Sequence, residues 1–154
     1  MLKSCCVTGH RNIPAEKIDY IKQELRKEIM LAFRDGCTHF ISGFADGVDL
    51  LFAEIVAELK TKNPDISLEA AIPYRNRLKA KNNKFQKLIK VCDKVTVIAE
   101  NYSKNCYMAR NMYIVQQSQH IIAAYDGRES GGTEFTIRYG RTQGRVLRII
   151  NILD

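Results

Sequence analysis

The sequence predicts an α/β fold: an open, mainly parallel sheet with helices on both faces. Two observations carry that prediction. Short apolar β-type runs alternate with stretches whose apolar residues recur every three or four positions, in the order βαβαβαβαβαβ. Several of the short runs are continuously apolar, as in Val95-Thr96-Val97-Ile98-Ala99, the pattern of a strand covered on both sides.

The elements follow in order. Residues 4–7 read as the first strand. Pro14 suits a helix start, and Ile18, Ile21, Leu25, Ile29 and Ala32 then mark one apolar face until Asp35-Gly36 ends the helix. The second strand is 38–41, and a strongly apolar helix runs over 47–59. Asn63-Pro64-Asp65 is a turn. The third strand, 68–72, closes at Pro73, and a basic helix spans 77–91. Residues 95–99 form an interior strand, 105–117 a helix and 121–125 the fifth strand. A turn over 126–132 leads into a short helix, 133–141. Gly144 breaks it, and 146–152 is the last strand.

The chain of 154 residues is expected to form one domain, 1–154, long enough to bury a core. No apolar run approaches the roughly 18 residues of a membrane helix. The N-terminus lacks the long apolar region of a signal peptide, so the cytoplasm is the expected compartment. The five cysteines contain no C-x-x-C pair, and the three histidines are scattered, so neither a disulfide framework nor a metal site is expected. Cys5 and Cys6 fall in an apolar strand and read as buried, inert thiols.

The formal net charge is +7. Much of it comes from Arg75, Arg77, Lys79, Lys81, Lys84, Lys87 and Lys90. This run is either a surface for a polyanion or the solvated face of an amphipathic helix whose apolar stripe is Leu78, Phe85, Leu88, Ile89 and Cys92.

In open α/β sheets ligands bind beyond the carboxyl ends of the strands. Four segments fall there. After the first strand comes Thr8-Gly9-His10-Arg11, where Gly9 permits a sharp turn and Arg11 offers a fork of donors to phosphate. It is not a dinucleotide fingerprint, because Arg11 and Pro14 occupy the places of the second and third glycines. After the second strand comes Ser42-Gly43-Phe44-Ala45-Asp46-Gly47-Val48-Asp49, a turn with two glycines at a helix start. Such a turn aims free N–H groups and a positive dipole end at an anion. Asp49 lies in the first turn of that helix. Met108-Ala109-Arg110-Asn111 stands in the helix before the fifth strand, with Arg110 either on the surface or aimed at a ligand. Ser130-Gly131-Gly132-Thr133-Glu134 opens the last helix, with Thr133 as its expected N-cap.

Together these residues resemble the SLOG superfamily, a Rossmann-like group, and in particular its YpsA-like members. Thr8-Gly9-His10-Arg11 is similar to the superfamily's T-G-x-R, and residues 42–49 match S-G-x-A-x-G-x-D. The resemblance implies a nucleotide or nucleotide-sugar ligand. In the LOG branch, which hydrolyses nucleoside monophosphates, M-x-x-R-K corresponds to Met108-Ala109-Arg110-Asn111, with asparagine in place of lysine. Ser118 follows at the spacing of that branch's serine. Gly131-Gly132-Thr133 looks like a shortened P-G-G-x-G-T-x-x-E, but Thr136 occupies the place of the glutamate and Glu134 stands nearer.

The function expected is a sensor-type module that binds a nucleotide-like small molecule. Backbone N–H groups of Gly43–Gly47 and Gly131–Thr133 would take phosphate, and Arg11 and Arg110 would neutralise it. Asp49 and Glu134 would accept from hydroxyls or amines. Two alternatives remain: a LOG-like phosphoribohydrolase using Glu134 or Asp49, or a DprA-like nucleic-acid-binding module using the basic face. No cofactor and no membrane are expected, and self-association is left open.

Overall fold

The computed structural model describes residues 3–153. Met1, Leu2 and Asp154, at the ends of the expected 1–154 domain, lie outside the described residues. Six strands form one sheet: β1 (Lys3–Gly9), β2 (Cys37–Ser42), β3 (Ser67–Tyr74), β4 (Lys94–Ala99), β5 (His120–Tyr125) and β6 (Val146–Asn151). All adjacent strands pair parallel, in the order β4-β3-β2-β1-β5-β6. The connecting helices are α1 (Ile18–Arg34), α2 (Val48–Lys60), α3 (Asn83–Val91), α4 (Cys106–Gln116) and α5 (Gly132–Thr142).

The chain winds outward from β1 to β4, then returns through α4 to place β5 on the other side of β1. The reversal opens a crevice between the carboxyl ends of β1 and β5. The helices divide accordingly. Ile21, Leu25 and Ile29 of α1, Phe52 and Val56 of α2, and Phe85 and Leu88 of α3 pack into the larger apolar cluster. On the opposite face Ile114 and Val115 of α4 meet Cys6, Ile41, Ala71 and Ile121. Each fully buried Phe or Leu here contributes about 1.5–3 kcal/mol relative to exposure.

Three expectations are corrected. The basic helix over 77–91 is broken: Arg75–Lys79 is a 3-10 turn, and α3 starts only after Asn82, whose side chain accepts from Lys84 N and Phe85 N. An asparagine N-cap ends the preceding segment because it satisfies the new helix's free donors. The apolar stripe itself is real, with Phe85 and Leu88 buried. The second correction concerns β4. It is an edge strand, with Val95 40% exposed, despite its apolar run. An edge strand carries one unpaired row of backbone groups and loses cover on that side.

Pro73 also lies inside β3 rather than ending it. Proline lacks an N–H to donate to a ladder, but its carbonyl stays free to accept. Cys5 and Cys6 are fully buried, and burial pushes the Cys6 thiol up to about 12. Among the described residues no helix is long and apolar enough to cross a membrane.

Candidate functional site

A cleft of about 470 Å³ occupies the crevice at the carboxyl ends of β1 and β5. Thr8, Gly9, His10 and Arg11 form one wall. Tyr107, Arg110 and Asn111 of α4 form another. Gly131, Gly132 and Thr133 close it, with Ala45 and Asp49 behind.

The β1 end is shaped by close packing. A Cβ on Gly9 would lie 2.5 Å from Cβ of Val48, so glycine is needed for β1 to press against α2. That replaces the expected turn role, since Gly9 ends β1 without a positive φ. The loop beyond it is stitched to α2 by Val48 N–H, which donates to His10 O at 3.2 Å. Gly47 has φ +83°, and a Cβ there would sit 2.4 Å from His10 O and 2.5 Å from Arg11 O. Gly47 therefore faces the protein's own backbone, not the cleft.

The turn over residues 42–49 is largely satisfied internally, which corrects its expected role as a phosphate cradle. Ser42 is fully buried: its Oγ donates to Asp49 O at 2.9 Å and accepts from Phe44 N at 3.1 Å. Ala45 N donates to Asp49 Oδ2 at 3.2 Å. Gly43 O accepts from Arg110 Nη1 at 2.6 Å. The motif's work is to fix Asp49 against the cleft. Burial pushes the Asp49 carboxyl up to about 6, and the nearby Arg110 guanidinium opposes that rise.

Arg110 is 5% exposed, so it is neither a surface residue nor a free anion clamp. Its Nε donates to Asn111 Oδ1 at 3.0 Å, and its guanidinium carbon stands 5.6 Å from the Tyr107 ring centre. Arg11 approaches the same ring at 5.1 Å. Burial lowers the pKa of Arg110, with Asp49 pulling it back up.

The α5 end keeps its donors free of helix partners. Gly131, not Thr133, is the N-cap, with φ +117°, and α5 begins at Gly132. A side-chain cap is dispensable here because glycine's left-handed backbone turns the loop directly into the helix. The first N–H groups of α5 therefore open onto the cleft. Thr133 is 6% exposed and lines it, while Thr136 Oγ1 donates back to Gly132 O at 2.8 Å.

Glu134 is not brought into the cleft. It pairs with Arg138 at 3.0 Å and lines a separate surface depression with Arg141 and Ile149. At a helix start, adjacent side chains point about 100° apart, so with Thr133 facing inward Glu134 faces away.

Two cleft residues, Tyr107 and Arg128, were not anticipated, and a third, His10, was expected only as part of its segment. Tyr107 is one helical turn before Arg110, a spacing that puts both on one face. Arg128 lies in the loop after β5 and forks onto Asp126, with Nε at 3.0 and 3.1 Å from the two carboxylate oxygens. That contact holds the Asp126 carboxyl far below its usual range. His10 Nε2 accepts from Asp126 N at 3.2 Å, and burial lowers the His10 pKa while the Asp126 carboxylate opposes that shift. Only the position of the last two after strand ends hinted at them.

Similarity to known proteins agrees with this architecture. The YpsA family model, described as the YspA SLOG family, matches residues 5–145. UPF0398 proteins of Bacillus thuringiensis (strain Al Hakam) and Bacillus cereus (strain AH187) are 24% identical over 135 residues, covering 84% of this chain and 73% of theirs. Among solved structures, DNA processing protein A of Helicobacter pylori, described for its single-stranded DNA binding mode, superposes with a TM-score of 0.70 at 18% identity. It covers 96% of this chain, which spans 64% of that one. TM1055 superposes with a TM-score of 0.63 at 16% identity, over 95% of this chain and 72% of that one. The structural likenesses show the fold; the family match, running from β1 to the residue before β6, shows that the chain belongs to the YpsA SLOG family.

Proposed function

We propose that the chain binds a nucleotide or nucleotide-derived anion in the cleft between β1 and β5. The observation that carries this reading is convergence. The open N-terminus of α5 and Arg11 border one cavity, which also holds a buried carboxyl, Asp49. Phosphate meets the helix N–H groups and Arg11. Asp49 accepts from a ribose hydroxyl or a base amine. Gly43 and Gly47 take no phosphate in this reading, because their turn is already hydrogen-bonded to the protein.

Thermal unfolding in the presence of a nucleotide panel tests it. A ligand at one hundred times its dissociation constant should stabilise the fold by about 2.7 kcal/mol. No shift with any nucleoside mono-, di- or triphosphate or nucleotide-sugar would overturn the reading.

A second reading rests on Asp49. A carboxyl poised near 6 in a cleft is suited to proton transfer or to stabilising positive charge during glycosidic cleavage. If the cleft hydrolyses nucleoside monophosphates, Asp49 is the carboxylate involved, not Glu134. Release of free base that vanishes in Asp49→Asn but persists in Glu134→Gln would establish it.

A further inference from the structure

Beside the cleft, three tyrosines far apart in sequence form one aromatic ledge. Tyr74 ends β3, Tyr102 lies in the loop after β4, and Tyr107 opens α4. Because β3 and β4 are parallel neighbours, both strands deliver their chain ends to the same sheet edge, where α4 also starts. The Tyr74 ring stands 5.4 Å from Tyr102 at 84°, and 6.2 Å from Tyr107 at 74°. These edge-to-face contacts fix the ring orientations. The ledge begins inside the cleft at Tyr107 and ends at Tyr102, which is 63% exposed.

The charges around it are unevenly used. Arg75 is forked onto Glu100 at 2.6 and 2.8 Å and is spent on that pair. Arg11 leans on Tyr107 from the cleft side. Arg77, over the Phe85 ring at 5.5 Å, lies in the turn that directly follows Tyr74. A base-stacking surface thus runs outward from an anion site, with Arg11 at its inner end and Arg77 near Tyr74.

We infer that the Tyr107–Tyr74–Tyr102 ledge is a second base-stacking subsite, so that the ligand carries at least two nucleotide units: one seated in the cleft, the next stacked on Tyr102. This rests on the nucleotide reading of the cleft given above. A solvent-exposed tyrosine whose ring is held by its neighbours offers a π-face at little ordering cost. Any base can use such a face, so the ledge selects for length, not for base identity. A free dinucleotide and the end of a single strand share this chemistry.

Isothermal titration of the whole chain with three probes tests the inference: 5′-deoxyadenylate, the 5′-phosphorylated deoxyadenylate dinucleotide, and a deoxyadenylate strand of about ten nucleotides. The dinucleotide should bind about ten- to a hundredfold more tightly than the mononucleotide, the range expected of one stacked base. Tyr102→Ala should erase that gain and leave mononucleotide binding unchanged. Tyr102→Phe, which keeps the ring, should retain it. Tyr102 is exposed, so neither variant endangers the fold. A further rise with the longer strand identifies a strand end as the ligand, and a plateau at two units identifies a dinucleotide. Equal affinity for one and two units overturns the ledge while leaving the nucleotide cleft intact. Binding of no probe, with a nucleotide panel also silent, overturns both.

Discussion

Arg110 donates from Nη1 to the carbonyl of Gly43 at 2.6 Å, joining residues 67 apart in sequence. A Cβ on Gly43 would lie 2.6 Å from that same nitrogen. One contact thus explains both the glycine and the burial of the arginine. It ties α4 to the turn after β2 and sets the back wall of the cleft.

Replacing Arg110 by alanine should cost about 2–3 kcal/mol, because Gly43 O and Asp49 are left buried with a lost partner. Urea unfolding measures this. A loss below about 0.5 kcal/mol, the scale of an ordinary surface change, would mean that the contact is idle.

Asp49 makes a specific pH signature. Its folded pKa, about 6, is above its ordinary 3.8. Its contribution to stability is therefore fully present below about 4 and lost as pH rises through about 6. The size of that loss is about 3 kcal/mol. Asp126 acts in the opposite sense: its pKa is depressed by Arg128, so its stabilisation fades as pH falls. Comparing wild type with Asp49→Asn isolates the first effect. The difference in unfolding free energy should grow in the variant's favour between pH 4 and pH 6, a window set by the two values above. A constant difference would contradict it.

Gly47→Val should damage the fold with or without ligand. The left-handed φ alone costs about 1–2 kcal/mol for a residue with a Cβ. The backbone oxygens of His10 and Arg11 at 2.4 and 2.5 Å add a clash that cannot relax cheaply. Circular dichroism during thermal unfolding reports it. A stable variant that has lost only binding would instead put Gly47 against the ligand.

Gly9→Ala should destabilise through Val48, and Val48→Ala in the same chain should recover part of the loss. A Cβ on residue 9 would meet Val48 Cβ at 2.5 Å, Cγ1 at 2.5 Å and Cγ2 at 2.6 Å, and Val48→Ala removes the last two of these contacts. A double-mutant cycle should give a coupling of about 1–3 kcal/mol in the rescuing direction. Additive losses would place the strain elsewhere.

Glu134→Gln should leave nucleotide affinity unchanged within about twofold, since its carboxylate faces Arg138 outside the cleft. Titration of both proteins decides this. A tenfold loss would bring Glu134 back into the site.

The sequence by itself determined the element order, the parallel sheet and the segments that reach its carboxyl edge. Those properties follow from local apolar periodicity and from turn residues, which act within a few positions. It also marked Arg11, Asp49, Asn111 and Gly131–Thr133, all of which border the cleft. Tertiary structure alone decided what each motif residue does. Ser42, Gly43 and Gly47 are packing and hydrogen-bonding parts of the turn: Ser42 bonds to Phe44 and Asp49, Gly43 meets Arg110 of α4, and Gly47 meets the loop after β1. Whether a donor is free for a ligand depends on which distant carbonyl or carboxylate reaches it first. The same holds for β4, whose apolar run reads as interior until the strand order puts it at the edge. Tyr74, Tyr102 and Tyr107 become one surface only because parallel neighbouring strands end together, a juxtaposition that no local pattern encodes.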